Sequence, residues 1–382
     1  LLMSSLDIFR YSKDDLNEFE IKEKHVDEVE KNKYLSNLLS HSVKISKDIF
    51  PDIGQSIDEI FEKLQLENNF NFFVTSDHIE ANASCSVMPF SNKPDIIITS
   101  KLVELLSKEE LKFVLAHEVA HYYYQHSMYP HHTLANTRIE KLNLLNLSRA
   151  AEISSDRIGF VACDDIQTSL RAMLKLASGL SDKHINFNFS VYLEQLEELE
   201  SLGRNEGQLW SSHPNFLVRM RALIWFEMSK EYNEFVGHKK GTHKLKEIDK
   251  KIDTLINDLT GNELETSNQE VYDRALLWAS LRFYLFDKKF SKEEQESFKR
   301  RFGEKKTLST ISFLRISKPE IIDQKIEESF AEANLLLKNE KKKLIDELIL
   351  IGTEVGKNNI DVLKLLSQFA NKLGDERTIS LG

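Results

Sequence analysis

Only two cysteines, Cys85 and Cys163, occur in 382 residues, too few for a disulfide framework or a thiolate metal site. Six prolines and 13 glycines are likewise few, and the long Leu/Lys/Glu-rich stretches they leave uninterrupted predict a mostly helical chain. No apolar run approaches the ~18 residues that span a bilayer, and the amino terminus lacks a basic-then-apolar signal pattern, so no membrane span and a cytoplasmic location are expected. Positive charge is also short. The 51 Lys and Arg stand against 61 Asp and Glu, a net charge of −10, whereas a nucleic-acid binder carries a basic face, so no nucleic acid is expected as partner. What is present, 41% apolar and 29% charged residues over a length of about two domains, is the make-up of a globular protein rather than a disordered one.

One stretch stands apart from this background. Val114-Leu115-Ala116-His117-Glu118-Val119-Ala120-His121 reads H-E-x-x-H inside a segment that is predicted helical on other grounds. Ser107-Lys108-Glu109-Glu110 has the form of a capping box, and Leu111, Val114, Leu115 and Val119 recur behind it as an apolar stripe. On a helix, residues four apart are rotated by only about 40°, so His117 and His121 present two imidazoles to one side, within reach of a single zinc ion. Glu118 falls beside that pair, placed to take a proton from a metal-bound water without being a ligand. The plainer alternative is a helix whose histidines are merely satisfied polar residues.

Ahead of this helix, residues 1–50 carry charged clusters such as 22–24 and 27–31, then Tyr34-Leu35-Ser36-Asn37-Leu38-Leu39; they predict one or two surface helices packed loosely on the residues after them. Ile57, Ile60, Phe61 and Leu64 predict a short amphipathic helix over 53–66. The period then shortens. Segments 69–74, 83–88 and 95–99 are β-prone and separated by turn-rich stretches such as 91–94, which predicts a small sheet. Such a sheet either offers an edge to an extended peptide or only covers the helix. Past His121 the helix is expected to continue through Tyr122-Tyr123-Tyr124 and to end before Pro130. Projected along it, His126 faces away from the candidate ligands, and His131 and His132 fall in a surface loop.

A catalytic zinc usually keeps three protein ligands and a water. Residues 147–156 look like another helix, with Glu152 and Asp156 four apart on one face. Glu152 is the candidate third ligand and Asp156 the group that orients a His ligand from behind, unless the two merely belong to a solvated face.

H-E-x-x-H followed by E-x-x-x-D resembles the HtpX-like and CAAX-prenyl-protease-type zinc metallopeptidases, peptidase family M48 of the gluzincins. Ser212-His213-Pro214-Asn215-Phe216-Leu217-Val218-Arg219 is similar to that family's T/S-H-P-x-x-x-x-R segment beside the cleft. Upstream, Ala81-Asn82-Ala83 and Ile96-Ile97-Ile98-Thr99 leading into Leu102-Val103-Glu104-Leu105-Leu106 match as well, so ordered blocks run through residues 55–225. The resemblance implies one Zn2+ per chain held by His117, His121 and Glu152, with Glu118 as general base and Asp156 supporting the ligands. It also implies that His213 and Arg219 stabilise the tetrahedral intermediate or position the substrate; His213-Pro214 reads equally as a helix-initiating turn. Two departures matter. Many members sit in membranes, so prenylated or membrane-embedded substrates are not implied here, and Ser155 stands where the family commonly has Ala.

Between these blocks, an amphipathic helix containing Tyr192, Leu193, Leu196, Leu199 and Leu202, flanked by 181–184 and 203–207, is expected as a lid over the cleft or a surface hairpin. Beyond a linker at 236–243, residues 271–302 and 331–374 predict helix pairs, with a capping box at Ser291-Lys292-Glu293-Glu294 and a turn at 356–359. Their apolar spacing is weakly similar to that of TerB-like helical domains. The expected fold is thus mainly α (α+β), with a helical extension over 1–50 and a helical accessory domain over 245–382. Between them, residues 51–236 form a zincin-type metallopeptidase domain with a small β-sheet beside the active-site helix. By the resemblance the chain is a zinc-dependent metalloendopeptidase that hydrolyses protein or peptide substrates by Glu118-assisted attack of a zinc-bound water. Regulation is expected from the helical domain, directly or through a protein partner bound there. The alternative is a catalytically restrained metallopeptidase fold that serves as a partner-binding module.

Overall fold

Four short strands, three of them in the β-prone segments, build the sheet of the first unit. In the computed structural model, β1 (Ser42–Lys44), β2 (Asn71–Thr75), β3 (Ala83–Ser86) and β4 (Asp95–Thr99) form a mixed sheet in the order β1-β2-β4-β3. The central pair is parallel, with Phe72 opposite Ile96 and Val74 opposite Ile98; β1 and β3 flank it antiparallel, which leaves β3 at an edge. Phe72, Ile96 and Ile98 point into the core. The structure describes residues 6–15, 28–77, 79–87, 93–135, 137–202, 206–238, 240–260, 263–285, 290–316, 320–355 and 360–375. The turns predicted within 91–94, 203–207 and 356–359, and the charged cluster at 22–24, lie at least partly outside these residues.

The chain divides into two compact units, one of residues 1–135 and 144–262, the other of 136–143 and 263–382. In the first unit, α1 (Glu28–His41) leads into β1, and α2 (Pro51–Leu64) starts on a proline at its first turn, where the missing N–H costs nothing. Thr99 caps α3 (Ser100–Leu105). Next comes α4 (Lys108–Tyr123), which begins on the predicted capping box: Ser107 Oγ accepts from Glu110 N at 3.3 Å, and Glu110 Oε2 accepts from Ser107 N at 2.7 Å. The same carboxylate takes a 2.7 Å hydrogen bond from the fully buried Lys175 of α6 (Ile166–Ser178), tying the start of α4 to its neighbour.

The long α5 (Arg138–Cys163) runs antiparallel to α4, since Phe113 lies against Gly159 while His117 lies against Asp156. A Cβ at Gly159 would sit 2.8 Å from the Phe113 carbonyl oxygen, so this glycine is what lets the two helices approach. Further along come α7 (Phe189–Ser201), α8 (Glu206–Leu209), α9 (Phe216–Glu227), α10 (Lys230–Phe235) and α11 (Leu245–Thr260). Ile248, Ile252, Leu255 and Leu259 of α11 pack with Ala150, Ile153, Val218 and Ala222. That helix, expected at the start of the accessory domain, therefore belongs to the first unit.

Residues 6–14 depart from the loose packing expected of the amino-terminal region. Leu6 and Phe9 are fully buried and Tyr11 nearly so, each contributing roughly 1.5–3 kcal/mol of hydrophobic stabilisation. Polar contacts fix the same segment: Tyr124 Oη donates to Leu6 O at 2.8 Å, Arg157 donates to Phe9 O at 3.1 Å, and Tyr11 N donates to Ser154 Oγ at 3.0 Å. The segment is a strap across α4 and α5. The three-residue β1 was also not anticipated, because Ser42-Val43-Lys44 is too short to show a period.

In the second unit, α12 (Glu263–Tyr284) packs against α15 (Glu320–Ala333) and α16 (Lys338–Val355), with α13 (Lys292–Phe302), α14 (Glu304–Ile316) and α17 (Ile360–Lys372) completing its described helices. Ala279, Phe283, Phe330, Leu348, Ile351 and Phe369 are among the residues of its core. The capping box at Ser291 is formed, with Glu294 accepting from Ser291 N at 2.7 Å. Among the described residues, no helix is long and apolar enough to cross a membrane.

Candidate metal centre and its cleft

One helical turn separates His117 from His121, and the turn brings their Nε2 atoms to 3.0 Å from each other. Across from them α5 supplies Glu152, whose Oε2 lies 3.5 Å from His117 Nε2 and whose Oε1 lies 3.5 Å from His121 Nε2. The three potential ligand atoms fall within 4.8 Å of one another. Two imidazole nitrogens and one carboxylate oxygen, converging from buried positions, are a donor set that fits zinc and leaves a fourth position open.

The candidate ligands are held from behind. His117 Nδ1 donates to Asp156 Oδ1 at 3.0 Å, which points Nε2 at the shared centre. Arg219, at the first turn of α9, donates to both Asp156 oxygens, Nε to Oδ2 at 2.8 Å and Nη2 to Oδ1 at 2.6 Å, and its Nη1 lies 3.0 Å from Glu152 Oε2. Burial opposes ionisation of Glu152, yet the charges of Arg219, His117 and His121 outweigh it and hold this carboxyl down at about 2. Asp156 is lowered in the same way, against its burial, by Arg219 and His117. Burial pushes His121 well below its ordinary value, reinforced by His117, which favours the neutral form that ligates.

His126 does not face away. The α-helix ends at Tyr123 and Gln125 adopts the left-handed conformation at φ 60°, so the chain folds back and sets His126 Nδ1 2.8 Å from His121 Nδ1. The opposite nitrogen, His126 Nε2, lies 3.0 Å from Asp14 Oδ2 on the strap. Extrapolating the helix past its true end is what misplaced this residue. His131 and His132 stack on each other at 4.5 Å, outside the cleft lining.

Glu118 is buried, and both it and Cys85 of β3, the edge strand, line the same cleft. Burial pushes the Glu118 carboxyl up to about 7, with His117 pulling down and Glu152 pushing up. The site opens into a cleft of about 560 Å³, lined on one side by residues 81–85 of the edge strand and on another by Phe113, Val114, Leu176 and Phe216. His213 stands at its mouth, 63% exposed, with Nε2 3.4 Å from Glu152 Oε1 and Nδ1 2.9 Å from Ser212 Oγ. It precedes the α9 cap, where Asn215 Oδ1 accepts from Val218 N at 2.9 Å, so it both leads into a helix start and faces the site. No residue of 185–202 is among those lining the cleft, and α7 buries Leu193 and Leu196 in the core; of the two readings of this helix, lid or surface hairpin, the lid is not formed.

The model of peptidase family M48 matches residues 50–139 and 133–225, a span that holds β2 to β4, α4, Glu152, Asp156, His213 and Arg219. Residues 50–225 are a peptidase family M48 domain. A relative from Arabidopsis thaliana, plastoglobule-localized metallopeptidase 48, chloroplastic, is 26% identical over 219 residues, which cover 51% of this chain. The chain spans 62% of that relative's length. No solved structure matches the chain. The mainly α fold with its small mixed sheet is consistent with the M48 assignment. The strap and residues 263–382, the larger part of the second unit, lie outside the matched M48 span.

Proposed function

We propose that this M48 domain is a zinc-dependent metalloendopeptidase that hydrolyses an extended peptide laid along the free edge of β3. The observation that carries the reading is the convergence of His117, His121 and Glu152 ligand atoms within 4.8 Å, with Glu118 buried alongside. When bound there, zinc polarises a carbonyl and lowers the pKa of water to about 7.

The protein's own groups supply the rest. Glu118, pushed up to about 7 by its burial, has a proton affinity that lets it accept a proton from the attacking water and pass it to the leaving amine. Because Thr99 N donates to the Asn82 carbonyl, the period of two turns the main-chain groups of Ala83 and Cys85 away from β4, onto the free edge where a peptide strand can add by main-chain hydrogen bonds. Val114, Leu176 and Phe216 give the cleft an apolar wall, which favours an apolar side chain near the scissile bond. His213 is the group placed to donate to the developing oxyanion, being exposed to the cleft rather than enclosed by carboxylates.

Metal analysis with peptide-library cleavage, comparing wild type and Glu118→Gln, tests this. About one zinc per chain in both proteins and cleavage by wild type alone is the expected result. Stoichiometric zinc without cleavage by either protein would point to a partner-binding module; absence of zinc would overturn the reading.

A further inference from the structure

The strap ends at a buried carboxylate whose partners are all donors. Asp14 is fully buried at its side chain and accepts from His126 Nε2 at 3.0 Å, from Arg10 Nε at 3.2 Å and from Tyr129 Oη. An ionised carboxylate only accepts, so the proton of that contact sits on His126 Nε2. A neutral imidazole protonated there has a bare Nδ1. That nitrogen lies 2.8 Å from His121 Nδ1, with the Ser155 hydroxyl farther off at 3.5 Å, so His121 Nδ1 carries the proton between the two rings. His121 Nε2 is then the lone pair, and it is the atom that faces His117 Nε2 at 3.0 Å and Glu152 at 3.5 Å. One carboxylate thus sets the tautomer of two rings in series.

We propose that the strap completes the metal centre: Asp14, acting through His126, fixes the tautomer and orientation of His121. The inference rests on the zinc site argued above. It assigns to Asp14, which lies ahead of the span matched by the family model, the positioning role for His121 that Asp156 holds for His117. The two ligand histidines of α4 are then supported from opposite directions, one from α5 and one from the strap.

The docking of the strap does not itself require His126. Leu6, Phe9 and Tyr11 are buried in apolar clusters, and Ser12 N donates to Asp249 Oδ2 at 3.0 Å, so a change at Asp14 leaves most of the anchorage in place. That separation makes a clean comparison available. Tyr11→Phe removes the contact of Tyr11 Oη with Asp253, weakening the strap without touching the His126 relay.

The experiment is zinc competition titration of the full chain, together with the visible absorption of the Co2+-substituted protein, for wild type, Asp14→Asn, His126→Leu, the double variant and Tyr11→Phe. Asp14→Asn and His126→Leu should each weaken zinc binding by about 10- to 100-fold and alter the Co2+ spectrum, as loss of a ligand's supporting partner does. The double variant should be no weaker than His126→Leu alone, because Asp14 acts through that ring. Tyr11→Phe should bind as wild type. Equal losses in Tyr11→Phe and Asp14→Asn, additive losses in the double variant, or folded single variants with wild-type affinity and spectrum would each overturn the proposal. Wild type that binds no zinc would instead remove the metal-site reading beneath it.

Discussion

Arg219 grips Asp156 with two nitrogens, Nε 2.8 Å from Oδ2 and Nη2 2.6 Å from Oδ1, while its Nη1 reaches Glu152 at 3.0 Å. Its planar fork is therefore occupied by two carboxylates of α5, one a candidate ligand and the other the partner of a candidate ligand. Arg219 and His213 both line the cleft, but the Arg219 guanidinium is taken up by these two carboxylates, whereas the His213 side chain is 63% exposed.

Replacing Arg219 by Gln leaves two buried carboxylates without their cation, and the metal-free protein should lose about 3–5 kcal/mol in denaturant unfolding. Zinc should recover part of that loss, since a dication neutralises Glu152. Arg219→Lys restores charge but not the two-pronged contact, and should fall between. A Gln variant within about 1 kcal/mol of wild type would contradict the role.

His213→Ala makes the opposite prediction. The side chain is 63% exposed and meets Glu152 only at 3.4 Å, so melting temperature and zinc content should stay at wild-type values. Loss of one oxyanion donor should lower kcat about 100-fold with little change in KM. Steady-state kinetics on a cleaved peptide decide it; equal kcat would return His213 to the helix-initiating turn.

Glu118 should make the metal-free protein weaker at alkaline pH. Its folded-state value, pushed up to about 7 by burial, exceeds the ordinary 4.5, so the folded state binds this proton more tightly than the unfolded chain. The contribution is fully present below about 4.5 and is lost as pH rises through about 7, a change of roughly 3 kcal/mol. Glu118→Gln mimics the protonated group at every pH. Metal-free Glu118→Gln should therefore match wild type near pH 4 and outlast it near pH 8, with zinc narrowing the gap. Parallel melting curves across that range would show the carboxyl to be ordinary.

The readable parts of this chain were those whose chemistry repeats with a fixed period. The capping box at Ser107, the apolar stripe of α4 and the four-residue spacing of Glu152 and Asp156 all survive into the structure because a helix turns spacing directly into direction. His126 was illegible for the converse reason: its place depends on where α4 stops and on a left-handed Gln125, a conformation that nothing in Tyr124-Gln125-His126 announces. The strap has no period at all. Leu6, Phe9, Tyr11 and Asp14 are buried by a path laid over other elements, so their hydrogen-bond partners outside the strap, from Tyr124 to Asp253, are separated from them by more than a hundred residues of sequence. Burial of α11 in the first unit is a similar case, since an amphipathic helix shows which face it hides but not against which neighbour.

Gly159 sets the distance between the two helices that carry the candidate metal ligands, and its replacement should be felt at the site. A Cβ there would lie 2.8 Å from the Phe113 carbonyl oxygen and 2.9 Å from its ring, closer than real contacts allow. Ala gains about 1 kcal/mol of helix propensity over Gly. Overpacking costs about 1–3 kcal/mol, so a net loss is expected for Gly159→Ala and a larger one for Gly159→Val. Because Phe113 precedes His117 by one turn, and Gly159 lies nearly one turn beyond Asp156, pushing the helices apart also separates Glu152 from His117 and His121, so zinc affinity should fall with stability. Trimming the ring cannot rescue it, as the nearest atom belongs to the main chain; Gly159→Ala combined with Phe113→Leu should bind zinc no better than Gly159→Ala alone. Wild-type zinc affinity in a folded Gly159→Val protein would mean that α5 reaches the ligands by a path that does not depend on this crossing.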